Sequence, residues 1–436
     1  MARKRSYQPL SVFQNGRIVG RLNRETSGAI DFRYNAEWLG RERPLPISLS
    51  LPLREDRYIG APVLAVFDNL LPDGEPIRKH IAERVGAQGA DTFSLLTALG
   101  HDCVGALQFL PEGVDPGPAG GTEAHEVSAA DIAHIIRNLG RNPLGVDQDE
   151  GFRISIAGAQ EKTALLWREG RWYKPSGSTA TTHIIKPQIG KLPNGIDLSN
   201  SVENEYLCLK LVSALGVPTA EAEISEFEDQ KALVVKRFDR RWLPDGRLIR
   251  LPQEDFCQAL SVASTRKYQP DGGPGMLQII KLLKSSDTPE QDIATFMRAN
   301  IIFWLLGATD GHAKNFSIFL NPTGFQLTPL YDVLSSQPSL DANQIQRKQF
   351  KLAMSVGKNR HYLIHQVLPR HFMQTAEQAG MSLKSVATTN EELRDTAAKA
   401  VSTVIGGLGH SIPPSVFDPI QKGIVERIER LGVAEE

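Results

Sequence analysis

Cysteine is scarce in this chain. Its 436 residues include only Cys103, Cys208 and Cys257, and no two of them form a CxxC pair. Scattered thiols in odd number argue against a disulfide framework or a zinc site and for a reducing compartment. Net charge is scarce too: 49 Lys and Arg against 50 Asp and Glu leave −1. That balance gives no global attraction to nucleic acid or to an anionic membrane. The densest basic cluster, Arg237, Arg240, Arg241, Arg247 and Arg250, is interleaved with Asp239 and Asp245 and reads as a solvated face. Long apolar runs are missing: none nears the roughly 18 residues that span a bilayer. The stretch behind the basic N-terminus is too short and polar for a signal-peptide core. The expectation is a cytoplasmic protein with no membrane partner. What is present is ordinary for a globular chain of two or three domains with a large core.

The first fifty residues read as β-rich. Apolar runs at 10–13 and 18–22 flank Gln14-Asn15-Gly16, and Asn-Gly supplies the positive φ angles that a two-residue hairpin turn needs. Runs at 29–34 and 47–51 continue the strand pattern. A helix is predicted near Asp73, with Pro76 in its first turn and Ile77, Ile81 and Val85 facing the core. A short helix at 93–99 and a strand at 104–110 follow. The glycine- and proline-rich stretch 111–122 cannot bury a face and reads as a linker at a domain boundary.

The stretch 307–332, GATDGHAKNFSIFLNPTGFQLTPLYD, carries the most chemistry. Thr288-Pro289-Glu290-Gln291 starts a long apolar helix, and Gly307 closes it. Asp310 and Asn315 then stand five apart on a loop. A strand, the turn 321–324 and a second strand lead to Tyr331 and Asp332. An acid, an amide five later and a second acid after a hairpin is the order in which protein kinases place a catalytic base and two magnesium ligands. The pattern points to phosphoryl transfer. The loop lacks His-Arg before its acid, and Asp332 is followed by Val333-Leu334, so the chain departs from the eukaryotic kinase pattern.

Four upstream pieces fit that order. Residues 152–162 form a small-residue loop, and Thr163 onward reads as a hairpin through Arg168-Glu169-Gly170. His183-Ile184-Ile185-Lys186 is a strand ending in lysine. A glycine loop lets backbone N–H groups approach phosphates, and a strand lysine can reach their oxygens. Alone, the loop reads more readily as a tight turn and Lys186 as a strand-end surface residue. A helix over 201–215 places Glu205 inside its apolar stripe, a core-facing carboxylate for which Lys186 is a candidate partner. A strand at 232–235 runs into Lys236-Arg237-Phe238, in chain order for an adenine-binding linker. From 251 the chain reads as helical, with later helices near 361–377, 390–406 and 414–431.

The segments VFDNLLPDGEPIR (66–78), DCVGALQFLPE (102–112), FRISIAGAQEKTALL (152–166), THIIKP (182–187), ENEYLCL (203–209), RFDRRW (237–242), LPQEDFCQ (251–258), DGGPG (271–275) and GATDGHAKNFS (307–317) resemble the HipA family of bacterial serine/threonine kinase toxins nearly end to end. The resemblance implies an α+β, protein-kinase-like two-lobed fold with an N-terminal β-rich subdomain and an all-helical C-terminal lobe. The expected divisions are 1–110 for the β-rich subdomain, 111–128 for the linker, 129–245 for the nucleotide-binding part of the N-lobe and 246–436 for the helical lobe with the catalytic loop. The resemblance also implies ATP and Mg²⁺ as cofactors, phosphorylation of a protein of the translation machinery (a glutamate–tRNA ligase is the candidate), and growth arrest with persistence. The implied partner is a HipB-like helix-turn-helix antitoxin, through which operator DNA is mainly bound, the toxin acting as co-repressor.

By the same resemblance the nucleotide loop falls on Ala157, Gly158, Ala159, Gln160, Glu161 and Lys162, the phosphate lysine on Lys186 and the adenine linker on Lys236, Arg237 and Phe238. Asp310 is the implied base. His312, Ala313, Lys314 and Asn315 are the loop contacts, with Tyr331 and Asp332 beyond; Asn315 and Asp332 would hold the metal. His312 and Lys314 could offset γ-phosphate charge. Ser155 matches the family's autophosphorylated serine. Close relatives carry glutamate where this chain has Lys236, a change that backbone contacts to adenine should tolerate. The competing expectation is a catalytically silent repressor subunit that only binds antitoxin and operator.

Overall fold

The computed structural model describes residues 7–140, 144, 154–158 and 160–431. Ala159, and Phe152 and Arg153 before the loop, lie outside the described residues. Two compact units emerge. The first comprises Met1–Pro187, Ser225–Arg266 and Ile318–Thr323; the second comprises Gln188–Ile224, Lys267–Ser317 and Gly324–Glu436.

The first unit holds two larger sheets and the antiparallel pair Arg240–Trp242 with Leu248–Arg250. One is ordered Tyr58–Ile59, Ile30–Tyr34, Arg17–Arg24, Leu10–Gln14, Leu107–Pro111. Its first hairpin turns at Asn15 and Gly16, both at positive φ, 48° and 76°. Leu10, Val12, Leu22, Phe32, Phe67 and Phe109 interlock beneath it, all shielded from solvent. The second, six-stranded, is ordered Ala222–Phe227, Gln230–Lys236, His183–Pro187, Thr163–Arg168, Arg171–Pro175, Ala124–Val127. Helices Glu75–Val85 and Thr92–Leu99 stand where the periodicity places them.

Four expectations for this unit are corrected. Residues 47–51 are not a strand: Pro44, Pro46 and Pro52 flank them closely, and the Ile47 N–H donates to the Tyr34 hydroxyl at 2.9 Å rather than to a ladder. The strand expected from 104 begins at Leu107, because Gly105 turns at a φ of 73° and its N–H goes to Asp239 Oδ2 at 2.7 Å. The stretch 111–128 joins two parts of one unit. The Leu248 N–H donates to the Gly120 carbonyl at 3.1 Å, and Ala124–Val127 completes a sheet.

The fourth correction is the largest. Arg237, Arg240 and Arg250 are not a solvated face. They are buried, with Asp102 and Asp239 between them. Arg237 meets Asp239 at 2.8 Å, and Arg240 and Arg250 both meet Asp102 at 2.8 Å. Surplus guanidinium donors go to the carbonyls of Cys103, Gly105 and Ser178. Burial alone would raise the Asp102 carboxyl, but Arg240, Arg250 and Arg237 together hold it far below the carboxylate range. Arg241 and Arg247 do face solvent.

The second unit is mainly helical. Its helices are Ser201–Ala214, Met276–Leu283, Pro289–Leu306, Pro369–Gln378, Leu383–Leu408 and Pro414–Leu431, with a shorter Gln337–Asp341. It is not all-helical, however: Lys351–Val356 pairs with His361–Leu363. The helix expected from 361 therefore starts at Pro369, whose fixed φ suits a first turn. Glu205 is buried as its stripe position implies, and so is Glu203, which accepts from Gln188 Nε2 at 2.6 Å.

Candidate active site

The predicted site residues fall in both units. The acidic loop belongs to the second. Pro289–Leu306 starts at a proline, although Thr288 makes no side-chain cap bond. Its last turn, from Ile301 to Leu306, is wholly buried, and Trp304 Nε1 donates to the Ile364 carbonyl at 3.1 Å. Gly307 ends it at a φ of 69°, where a methyl group would sit 2.6 Å from the Phe350 ring. Glycine is thus required twice over, by conformation and by space. The chain then releases Asp310 toward solvent from a rigid base.

Asp310 is half-exposed at 50%, whereas His312, Ala313, Lys314 and Asn315 are buried. Asn315 Nδ2 donates to the Asp310 carbonyl at 2.7 Å, and the His312 N–H donates to the same oxygen at 2.8 Å. His312 Nε2 lies 3.7 Å from Asp310 Oδ1, and the Tyr268 hydroxyl donates to that carboxylate oxygen. Burial, only partly opposed by Asp310, pushes the His312 imidazole below its usual range. His312 is therefore neutral at pH 7. Its ring stands edge-on to the Tyr268 ring. The Tyr331 hydroxyl donates to the Lys314 carbonyl at 2.8 Å, tying the end of the stretch to its beginning. Asp332 follows at a φ of 59°, a strained setting of the kind that gathers at working sites.

Among the described residues no cluster of three His, Cys, Asp or Glu could hold a metal. Magnesium takes one or two protein oxygens and completes its shell with phosphate and water. The orientation of Asn315 fits: its amide nitrogen is engaged on Asp310, which turns Oδ1 outward as an acceptor. Asn315 and Asp332 form a donor set of the right chemistry.

The segments expected to hold nucleotide belong to the first unit. Ser155 is completely buried; its N–H donates to the Asp102 carbonyl at 2.9 Å and its hydroxyl to the Leu70 carbonyl at 2.8 Å. Lys162 folds back so that Nζ donates to the Ala157 carbonyl at 2.6 Å. Gly158, at a φ of 110°, leaves room for that ammonium, since a methyl there would lie 2.5 Å from it. Gln160 Nε2 donates to the Pro187 carbonyl at 3.2 Å. Glu161 and Lys162 line a cavity of about 340 Å³ between the loop and the Glu75–Val85 helix. Lys186 is buried in its strand, not a surface lysine, opposite Leu233.

The linker is only partly as expected. The Arg237 guanidinium is buried framework in the Asp102–Asp239 network, and its N–H donates to the Thr182 carbonyl at 2.8 Å. Lys236 is exposed and pairs with His183 in the sheet, and Phe238 packs edge-on to Phe319. The sequence reading missed Tyr268 altogether. It stands 42 residues before Asp310, and no periodicity joins the two.

Residues 10–110 match the HipA N-terminal domain and residues 154–404 the HipA-like C-terminal domain. The chain belongs to the HipA family. It is 36% identical over 400 residues to the Y4mE protein of Sinorhizobium fredii, spanning 91% of each chain. To the serine/threonine-protein kinase toxin HipA of Shewanella oneidensis it is 27% identical over 355 residues, 78% of this chain and 76% of that one. A solved Shewanella oneidensis HipA, in complex with HipB and its operator DNA, superimposes with a TM-score of 0.79 at 24% identity, covering 97% of both chains. The fold of this HipA-family chain is accordingly the α+β, kinase-like one, and no helix among its described residues is long and apolar enough to cross a membrane.

Proposed function

We propose that the chain is an ATP- and Mg²⁺-dependent protein serine/threonine kinase, the toxin of a toxin–antitoxin pair. The observation that carries this reading is the 310–315 loop. A single carboxylate projects from otherwise buried residues, with its backbone held by Asn315 and His312. In the reaction, the acceptor hydroxyl loses its proton to Asp310 while its oxygen bonds the γ-phosphorus and the bond to the β,γ-bridging oxygen breaks, releasing ADP. Lys186 would face the α- and β-phosphates. Asn315 and Asp332 would hold magnesium, which when bound offsets the phosphate charge.

The family's character supports a substrate in the translation machinery, with a glutamate–tRNA ligase as the candidate, and hence growth arrest and persistence. The Shewanella complex supports a HipB-like antitoxin as partner and a shared role at operator DNA. A cytoplasmic location follows from that role. Autophosphorylation at Ser155 would switch the enzyme off. In its buried place the hydroxyl cannot receive phosphate, so the segment must leave first. A phosphoserine carries about −1.5 to −2 charge and cannot return to that dry position.

The test is incubation with Mg-ATP. A mass increase of one phosphate on Ser155 is expected, and none in Asp310→Gln. No phosphate on the chain or on any cellular protein would overturn the kinase reading and leave the silent repressor subunit.

A further inference from the structure

We infer that Tyr268 is a positioning residue for Asp310, an inference that rests on the kinase reading above. A general base works only when its oxygen is held within hydrogen-bond reach of the proton it takes. Asp310 is half-exposed on a loop, where a free carboxylate would rotate. Its backbone is fixed by Asn315 and His312, but that does not fix the side chain. His312 Nε2, at 3.7 Å, is too far to hold it by a hydrogen bond. Among the described residues, the hydroxyl of Tyr268 is the donor to this carboxylate. It engages Oδ1 and thereby turns Oδ2 to the incoming acceptor.

Tyr268 is itself well anchored. Its ring stands edge-on to His312, with centroids 4.8 Å apart at 83°. Its carbonyl accepts from the Gly273 N–H at 2.9 Å. The next residue, Gln269, accepts from the Ser355 N–H at 2.7 Å and from the Ser355 hydroxyl at 3.1 Å, pinning the segment to Lys351–Val356. The buried, neutral His312 acquires a purpose in this arrangement: it is the surface against which the tyrosine is set. The Asp271-Gly272-Gly273-Pro274-Gly275 turn holds the segment from its other side. A methyl on Gly275 would lie 2.3 Å from Gln269 Nε2.

Tyr268→Phe keeps the ring and removes the donor. The full chain with Mg-ATP is followed by the rate of phosphate incorporation at Ser155 across ATP concentrations. The expected result is a fall in the maximal rate of about tenfold with KM for ATP unchanged, because ATP is not what the phenol touches. Thermal unfolding of the variant checks that the loop remains folded. Tyr268→Leu, which also removes the ring packed on His312, should lose more. A Tyr268→Phe rate within twofold of wild type overturns the inference, as does a KM that rises in step with the fall in rate. A wild-type chain that incorporates no phosphate overturns the kinase reading and this inference with it. An active wild-type chain beside an equally active Tyr268→Phe overturns this inference alone.

Discussion

Glu254 is a buried carboxyl that the proposed chemistry does not use. Burial pushes it up to about 8, against the pull of the Leu49 N–H that it accepts at 2.8 Å and of the Ser48 hydroxyl; Oε2 has no hydrogen-bond partner among the described residues. The unfolded value is near 4.5. Between these values the folded chain keeps a proton that the unfolded chain gives up. Stability therefore falls as pH rises from about 4.5 to about 8 and levels off above. Glu254→Gln cannot titrate, so its melting temperature should gain on wild type between pH 5 and pH 8.5. Parallel curves would show that the carboxyl ionises freely. Single residues were the hardest scale to read from sequence. Asp310, Asn315 and Asp332 stood out as candidates because their types and spacing match a chemistry. The neutrality of His312, the depth of Ser155 and the grip of Tyr268 were not, since each depends on neighbours supplied by packing.

At the scale of elements, local chemistry spoke clearly where it was strong. Asn15-Gly16, Pro289 and Gly307 each impose a backbone geometry, and each stands where the sequence places it. The hairpin Lys351–Val356 with His361–Leu363 was missed, because a short alternating run beside helix-forming residues fits either state. The termination at Gly307 is testable. Gly307→Ala forces a side chain into the left-handed region and against Phe350, a cost of about 2–4 kcal/mol. Denaturant unfolding should show that loss. Phosphate incorporation should fall further than stability alone explains, because the element that delivers Asp310 ends in a different direction. If incorporation persists at the wild-type rate in the folded fraction, the helix end does not aim the loop.

The chain as a whole is two interleaved units, and the sequence displayed the order of their parts but not their seams. The buried arginines show why. A basic run beside two aspartates looks like surface until Asp102, some 135 residues earlier, is placed among them. Asp102→Asn leaves three buried guanidinium groups facing one carboxylate and should destabilise the fold by about 3–5 kcal/mol, read by urea unfolding. Asp102 and Asp239 are both depressed from an ordinary value of 3.8, so their contribution is present above that pH and is lost on acidification below it. An acid midpoint that Asp102→Asn does not shift would show the network to be neutral in the energetics. A fragment ending at Pro187 lacks Arg237, Arg240 and Arg250, and pulse proteolysis should find it unfolded beside the full chain. The same seam governs synthesis on the ribosome. The first unit needs Ser225–Arg266 and Ile318–Thr323 before it is complete, and Asp310 emerges between those two segments. Synthesis must therefore run past Asp310 before the first unit has all its segments, and a chain stopped there lacks the last of them.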